Sequence, residues 1–190
     1  DDPVQSKAEH CLIADAGHCV REAGLSGRAL RELASRAGIT TSTFYAYFES
    51  KNAIFDAMFG EAAESFTTSK AAIVETDDAH RNLVADARCF VEFCTADVPR
   101  YQLLFQHSVP GFTPSPKSYA PAVRELELVR QRLARNGVQD PRHVDLWTAV
   151  MTGLVDQQIS NDPGGDRWTR LIDDVVEMFL AHCTDEGNRS

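Results

Sequence analysis

One stretch, from Arg28 to Lys51, restricts the possible folds more than any other part of this 190-residue chain. Leu30, Leu33 and Ala34 recur within it at the three- and four-residue spacing of one helix face. Gly38 follows the last of them, at a position where a left-handed residue closes a helix. The pattern therefore predicts a helix that ends in a tight turn.

A second short helix is predicted from residue 41 to residue 48, because Phe44 and Phe48 lie four residues apart on one side of it. Helix, glycine turn and helix form the helix-turn-helix arrangement, whose second helix enters the major groove of DNA. The residues around the two phenylalanines are small or carry hydroxyl groups. Such a face allows close approach to phosphates and base edges.

The chain resembles a known family over the run LRELASRAGITTSTFYAYFESKNAIFDAM. It is similar to the tetracycline-repressor (TetR) family of bacterial transcriptional regulators. The matching pieces are Leu33-Ala34, Ala37-Gly38-Ile39, the segment from Thr43 to Phe48, Ser50-Lys51 and Ile54-Phe55. The resemblance implies a ligand-responsive DNA-binding regulator, most often a repressor, that binds a near-palindromic operator as a homodimer.

The resemblance also implies which residues contact DNA. Thr43, Tyr45 and Tyr47 match positions that touch phosphates or groove edges, and Lys51 matches a lysine that clamps a phosphate. The short second helix has no Arg, Asn or Gln, so sequence readout is expected to depend partly on DNA shape and nearby arginines. The full predicted DNA site is Arg28, Arg36, Thr40, Thr41, Ser42, Thr43, Tyr45, Ala46, Tyr47 and Lys51.

The remainder shows helical periodicity and no strand-like alternation, so the predicted fold is all-α, with about nine helices. A three-helix DNA-binding domain is expected over residues 1–50, and a helical effector-binding and dimerisation domain over 51–190. Ser50, the segment Thr76 to Asp78, Asp140 and Asp166 are the predicted helix starts that carry capping side chains. Further helices are expected to begin at Pro99 and Pro121, with a proline-rich loop from Pro110 to Ser118 between them.

Several apolar stripes indicate buried faces. The helix after Pro121 is expected to bury Val123, Leu126, Val129 and Leu133. The last two helices have wide apolar faces, which either pack on their own domain or pair across a two-fold axis as a four-helix bundle. The resemblance implies the second arrangement. The expected dimer interface is Trp168, Leu171, Ile172, Val175 and Phe179.

A small-molecule pocket is implied for the carboxy-terminal helices. Apolar walls with a few polar groups characterise ligand cavities, but they also characterise an ordinary core. The polar side chain of Gln158 is one candidate for orienting a ligand. The apolar candidates are Phe90, Phe93, Cys94, Tyr101, Phe105, Phe112, Tyr119, Trp147 and Met151.

The formal net charge of −9 argues at first against a nucleic-acid partner. However, the stretch from Ser26 to Lys51 contains four basic and two acidic side chains. From Glu61 onward there are 13 Lys and Arg against 20 Asp and Glu. The acidic charge therefore lies mostly outside the predicted DNA site, and the few cations imply modest, salt-sensitive binding.

Other functional classes find little support. The five cysteines show no disulfide or metal spacing, and no secretory or membrane-spanning segment is expected, which indicates a cytoplasmic protein. No phosphate-binding loop, nucleophile elbow or His-Glu-x-x-His motif occurs, so neither an enzyme nor a cofactor or metal is expected. A helical protein-interaction module without sequence-specific DNA binding remains the alternative, followed by an all-α enzyme with no sequence signature.

Overall fold

The structure, a computed structural model, describes residues 50–187. These residues form α-helices and contain no β-strand. The expected all-α class is confirmed for this part of the chain, whereas the predicted helices before residue 50 lie outside it, and the total of about nine helices stays a prediction. The elements are α1 (Lys51–Ala71), α2 (Ala79–Ala96), α3 (Val98–Leu104), α4 (Pro116–Arg135), α5 (Pro141–Asn161), a short 3-10 helix (Thr169–Leu171) and α6 (Ile172–Gly187).

Short polar side chains mark where several helices begin. The Ser50 hydroxyl accepts a hydrogen bond from the Ala53 N–H at 3.1 Å, which confirms the predicted cap of α1. Such a bond satisfies one of the amide groups that the first helical turn leaves unpaired. The same arrangement occurs with Asp78 before α2, Asp97 before α3 and Asp140 before α5.

Helix α4 begins earlier than the sequence pattern predicts. The proline-rich loop was expected to continue to Ser118, with Pro121 in the first helical turn, but α4 starts at Pro116 and Pro121 lies inside it. The Ser115 hydroxyl accepts a hydrogen bond from the Ser118 N–H at 3.2 Å. Ser115 thus caps the helix, and the following Pro116 has no backbone N–H that would need a hydrogen-bond partner in the first turn. This start signal was hidden by the neighbouring prolines.

Helix α6 begins later than predicted. Asp166 was expected to start it, but the helix begins at Ile172, after the 3-10 turn. The buried side chain of Gln158 explains the delay, because its Oε1 accepts hydrogen bonds from the backbone N–H groups of Trp168 (2.9 Å) and Thr169 (3.2 Å). The Gln158 amide group is therefore occupied by the connection between α5 and α6 rather than turned toward a ligand.

The fold consists of two compact units. Among the described residues, unit 1 contains residues 50–65 and Asp97–Pro121, and unit 2 contains Phe66–Ala96 and residues 122–187. Unit 1 buries Ile54, Phe55 and Phe59 of α1. The Phe112 ring lies 5.8 Å from that of Phe55 and 6.5 Å from that of Phe59, between ring centroids. The loop before α4 is thereby held on α1.

Asp56 joins α1 to the start of α4 within unit 1. Its carboxylate accepts hydrogen bonds from the Ser115 N–H at 2.6 Å, the Ser115 hydroxyl at 2.8 Å and the Ser118 hydroxyl at 2.8 Å. Burial by itself raises the pKa of Asp56, but these hydrogen bonds and the charge of Lys117 outweigh it, so the pKa lies below its usual value. The negative charge also lies at the positive end of the α4 dipole.

Unit 2 is built around α2, which packs against α5 and α6. Leu83, Ala87, Val91 and Cys94 form its buried stripe at helical spacing. Helix α5 buries a second stripe, and the rings of Trp147 and Phe179 pack with their centroids 4.9 Å apart. The segments joined by the α5–α6 turn therefore share one apolar core with α2.

The inward face of α4 differs from the predicted one. Leu133 is buried as expected, but Val123 is 53 % exposed and Leu126 is 42 % exposed. Glu125 instead lies inside. The prediction placed apolar residues inward by default, whereas here a buried ion pair with Arg132 occupies the inner face and turns the valine and the leucine toward solvent.

Replacement of Asp56 by Asn tests the link between α1 and α4. The free energy of unfolding is expected to fall by about 1–3 kcal/mol near neutral pH, because a charged acceptor of three hydrogen bonds is lost. A carboxyl group with a lowered pKa stabilises the fold above its unfolded pKa of about 3.9 and loses this effect as the pH falls through the folded pKa. Urea denaturation across a pH series should therefore show the two proteins converging below about pH 4.

Asp145→Asn is the control for this experiment, since Asp145 is exposed on α5. This change should alter the unfolding free energy by less than about 0.5 kcal/mol. Equal effects of the two substitutions at neutral pH would contradict the role assigned to Asp56.

Candidate functional site

The predicted DNA site lies almost entirely before the described residues. Only Lys51 falls inside them, as the first residue of α1. Its side chain is half-buried, and its ammonium group lies 5.2 Å from the centroid of the Phe55 ring. The others, Arg28, Arg36, Thr40, Thr41, Ser42, Thr43, Tyr45, Ala46 and Tyr47, lie outside the described residues, so their DNA contacts stay predictions.

The amino-terminal end of α1 has the electrostatics of an anion site. The first turn contains no acidic residue, and Lys51 adds a full positive charge to the partial positive charge of the helix end. Next to it, the side-chain amide of Asn52 donates a hydrogen bond to the Gly111 carbonyl oxygen at 3.4 Å. The start of α1 is thus attached to the loop before α4. The positive end of the α1 dipole lies at Ser50 and Lys51.

The predicted pocket residues are divided between the two units. Tyr101 is buried in unit 1, where Phe105 and Phe112 are half-buried and Tyr119 is 43 % exposed. In unit 2, Phe90 is half-buried, whereas Phe93, Cys94, Trp147 and Met151 are buried. Whether any of them binds a ligand stays a prediction.

Aromatic contacts in unit 2 group some of these residues. The Phe66 ring lies 5.9 Å from that of Phe90 and 4.9 Å from that of Phe93, between centroids. Phe66 was not among the predicted pocket residues. These three rings form the apolar surroundings of a charged group at the end of α1.

That charged group is a set of four side chains in unit 2, named here the buried ionic cluster: Lys70, Asp86, Glu125 and Arg132. Their side chains are between 1 % and 14 % exposed. The Lys70 ammonium lies 2.8 Å from Asp86 Oδ1 and donates a hydrogen bond to the Asp86 carbonyl oxygen at 2.6 Å. Arg132 lies between the carboxylates, 2.9 Å from Glu125 Oε1 and 3.5 Å from Asp86 Oδ1.

The two carboxylates of the cluster are not equally satisfied. The Asp86 carboxylate is in direct contact with the Lys70 ammonium. Lys70 Nζ also lies 5.4 Å and 5.9 Å from the ring centroids of Phe66 and Phe90. Glu125 Oε2, in contrast, is buried and has no hydrogen-bond partner among the described residues. Burial raises the pKa of Glu125, and Arg132 offsets only part of that rise.

Sequence reasoning missed the ionic cluster, although one signal was present. Asp86 lies three residues after Leu83 and beside Ala87, on the buried apolar stripe of α2. A charged residue on an apolar face indicates a buried partner of opposite charge. The partners come from α1 and α4, which are distant in sequence, so the pairing itself depends on the tertiary fold.

The predicted dimer residues differ in how much of them is accessible. Ile172 and Phe179 are buried within the chain, and Trp168, Leu171 and Val175 are half-buried. Met178, on α6, is 70 % exposed and was not predicted. Ile172 and Phe179 therefore belong to the core of unit 2, and Met178 offers α6 a large accessible apolar side chain.

Comparison with known proteins defines the class. Residues 12–58 match the family model described as bacterial regulatory proteins, tetR family. This segment contains every predicted DNA-contacting residue, and the match confirms the resemblance inferred from the sequence. Residues 12–58 thus resemble the corresponding segment of tetR-family regulators. No curated protein sequence matches the chain significantly.

Solved structures show the same fold over nearly the whole chain. The TetR family transcriptional regulator PfmR from Thermus thermophilus is 18 % identical and has a TM-score of 0.68, with 90 % of this chain and 97 % of PfmR covered. AibR in complex with isovaleryl coenzyme A and operator DNA is 15 % identical, with a TM-score of 0.65 and coverages of 90 % and 96 %. The superantigen PfiT is 19 % identical, with a TM-score of 0.66 and coverages of 94 % and 97 %.

These likenesses establish that the chain has the fold of TetR-family transcriptional regulators. Sequence identities this low establish a shared fold but not a shared ligand or binding partner, as the different descriptions of AibR and PfiT illustrate. Among residues 50–187, none of the helices is both long and apolar enough to span a bilayer.

Replacement of Lys70 by Met tests the energetics of the ionic cluster. The unfolding free energy is expected to fall by about 3–5 kcal/mol, because Asp86 is left buried without its cation. The double variant Lys70→Met, Asp86→Leu should recover most of the loss, since the unpaired charge is removed as well. Urea denaturation of the wild type, the single variant and the double variant measures both effects.

Arg88→Met is the matched control, because Arg88 forms a surface ion pair with Asp173, at 2.6 Å, with both side chains about half exposed. Its expected cost is below about 1 kcal/mol. A Lys70→Met variant as stable as the Arg88→Met variant would show that the buried pair is not the stabilising contact described here.

Proposed function

We propose that this protein is a ligand-responsive, DNA-binding transcriptional regulator, acting as a repressor, that binds a near-palindromic operator as a homodimer. One observation carries the proposal: the family match over residues 12–58 includes the entire predicted DNA site. A DNA-binding regulator acts where the chromosome is, so the cytoplasm is the proposed location. No catalytic role and no cofactor are proposed.

The proposed reading helix uses hydroxyl groups rather than bidentate base contacts. Thr43, Tyr45 and Tyr47 are assigned to phosphates and groove edges, and Thr40, Thr41, Ser42 and Ala46 to base neighbours. A thymine methyl group is a suitable contact for the Ala46 side chain. Arg28 and Arg36 supply nearby positive charge.

Lys51 is proposed to bind a DNA phosphate together with the first backbone N–H groups of α1. Both the lysine charge and the helix dipole favour an anion at that point. The Ser50 cap and the Asn52–Gly111 hydrogen bond give this end of the helix a defined position within unit 1. The contact is independent of base sequence, so it supplies affinity rather than specificity.

An effector is proposed to act by population shift. AibR, which has this fold, is described in complex with both isovaleryl coenzyme A and operator DNA. A small, largely apolar effector of the present chain would bind the conformation with low DNA affinity more tightly. The typical coupling between two such sites is about 1–3 kcal/mol, a factor of roughly 5–150 in affinity.

Dimerisation is proposed to occur through α5 and α6. Trp168, Leu171 and Val175 are half-buried in the single chain, and the exposed Met178 extends the accessible apolar surface of α6. Two copies related by a two-fold axis would bury these side chains against each other. Two reading helices at a fixed spacing would then match two operator half-sites.

A helical protein-interaction module is the second candidate, and the fold shared with the superantigen PfiT favours it. Sequence-specific DNA binding distinguishes the two. A gel shift with DNA flanking the protein's own gene, specific over a scrambled duplex, supports the regulator. The absence of any shift at low salt would favour the interaction module.

Lys51→Ala is expected to weaken binding to both operator and scrambled DNA, because a phosphate contact is lost, and to reduce the salt slope by about 1. Fluorescence anisotropy over a salt series measures both quantities. Tyr45→Ala should also weaken binding to both DNAs, but the salt slope should stay unchanged because the tyrosine hydroxyl carries no charge. Lys117→Ala removes an exposed lysine outside the proposed DNA site and is the control. A slope and an affinity unchanged in Lys51→Ala would remove Lys51 from the interface.

Met178→Glu is expected to convert the dimer into a monomer, because the substitution places a charge within the proposed apolar interface. Light scattering on a sizing column measures the mass. Val74→Glu is the matched control, since Val74 is 83 % exposed and lies between α1 and α2. A Met178→Glu protein that remains dimeric would refute the proposed role of α6.

A further inference from the structure

The buried ionic cluster contains one polar atom that the described residues do not satisfy. Glu125 Oε2 is buried without a hydrogen-bond partner, although the other oxygen of the same carboxylate is 2.9 Å from the Arg132 guanidinium. Buried polar atoms in proteins are nearly always paired. Leaving such an atom unpaired costs free energy, and the cost is larger when the group is charged. This atom therefore calls for a specific explanation.

The hydrogen-bonding capacity of the cluster shows what kind of group is needed. Lys70 donates a hydrogen bond to the Asp86 carbonyl oxygen and forms an ion pair with the Asp86 carboxylate. Arg132 contacts both carboxylates. The atom left over is an acceptor, Glu125 Oε2, so the complementary group is a hydrogen-bond donor.

The surroundings of the cluster favour an apolar body attached to that donor. Phe66 and Phe90 lie over Lys70, and the ring of Phe93 packs on that of Phe66. Phe90 and Cys89, on adjacent positions of α2, are half-buried, so this side of the cluster borders the surface of unit 2. Burial raises the pKa of the Cys89 thiol, which keeps this border free of a thiolate charge.

We propose that the buried ionic cluster and the phenylalanines next to Lys70 form the effector site, and that the effector carries an ammonium or hydroxyl donor on a small apolar body. The donor binds Glu125 Oε2, and the apolar body packs beside Phe90. This inference rests on the proposed function, since it names the chemical class of the effector.

An anionic head group fits the same place poorly. A ligand carboxylate would bring a third negative charge beside Asp86 and Glu125, whose cations already contact them. It would also leave Glu125 Oε2 without a donor. A positively charged or neutral donor avoids both penalties, and a cation beside Glu125 additionally favours the ionised carboxylate.

Three probes of the same size test the class of head group on the wild-type protein: phenethylamine, 2-phenylethanol and phenylacetate. Isothermal titration calorimetry near neutral pH is expected to show one saturable site for a donor-bearing probe. Its affinity should exceed that of phenylacetate roughly tenfold, the value of one charge-assisted hydrogen bond. Tight binding of the amine alone identifies an ammonium requirement, and equal binding of the alcohol identifies a general donor requirement.

Glu125→Gln tests the residue. It removes the charge from the acceptor and should abolish the preference for phenethylamine over phenylacetate. Glu127→Gln is the matched control, because Glu127 is an exposed glutamate two positions further along α4 and should leave the preference intact. The comparison of the three probes uses only the wild-type protein, so it remains valid even if the Glu125→Gln protein is unstable.

Two results would overturn the inference: phenylacetate binding as tightly as both donor probes, or no saturable binding of either donor probe. An unchanged preference in a folded Glu125→Gln protein would do so as well. Operator binding, measured on the same preparations without probe, distinguishes a failure of the effector-site inference from a failure of the proposed function. A protein that shifts its operator but ignores the donor probes refutes the effector site alone, whereas one that shifts no DNA refutes the regulator.

Discussion

The buried pairing of Lys70 with Asp86 is the interaction on which the organisation of unit 2 depends. Removing a lysine and an aspartate from water costs several kcal/mol per ion, and only close contact in a low-dielectric interior compensates for that cost. The 2.8 Å contact therefore requires the end of α1 to lie against the middle of α2. Arg132 extends the same requirement to α4, and its contact with Glu125 selects which face of α4 is inside.

Unit 1 is held by a different kind of contact. Here a single carboxylate, Asp56, accepts hydrogen bonds from the residues that start α4, while the aromatic ring of Phe112 covers α1. The connection lies next to Ser50 and Lys51 in sequence, at the helix end proposed to meet a phosphate. The hydrogen bonds to Asp56 thus add to the apolar packing of Ile54, Phe55 and Phe59, and together they position the first turns of α1 within unit 1.

Family, fold and ligand are supported by different observations in this protein. The family resemblance rests on a local sequence pattern over residues 12–58, and the fold rests on similarity to solved structures that cover most of the chain. The effector class rests on one carboxylate oxygen in unit 2. Proteins of this fold are described with very different activities, so the chemistry of the site, and not the architecture, has to carry the functional argument.

The sequence alone determined the all-α class of residues 50–187, the resemblance of residues 12–58 to a known family and several helix starts. The helix starts were accessible because caps such as Ser50 and Asp140 act over only a few residues. The sequence pattern misplaced the beginnings of α4 and α6. The cap Ser115 lies among prolines that indicated a loop, and Gln158 bonds to the backbone of a residue ten positions further along the chain. The inner face of α4 and the ionic cluster were decided by the tertiary structure. A charged side chain is stable inside only when a partner from another helix meets it, and periodicity along one helix contains no information about that partner.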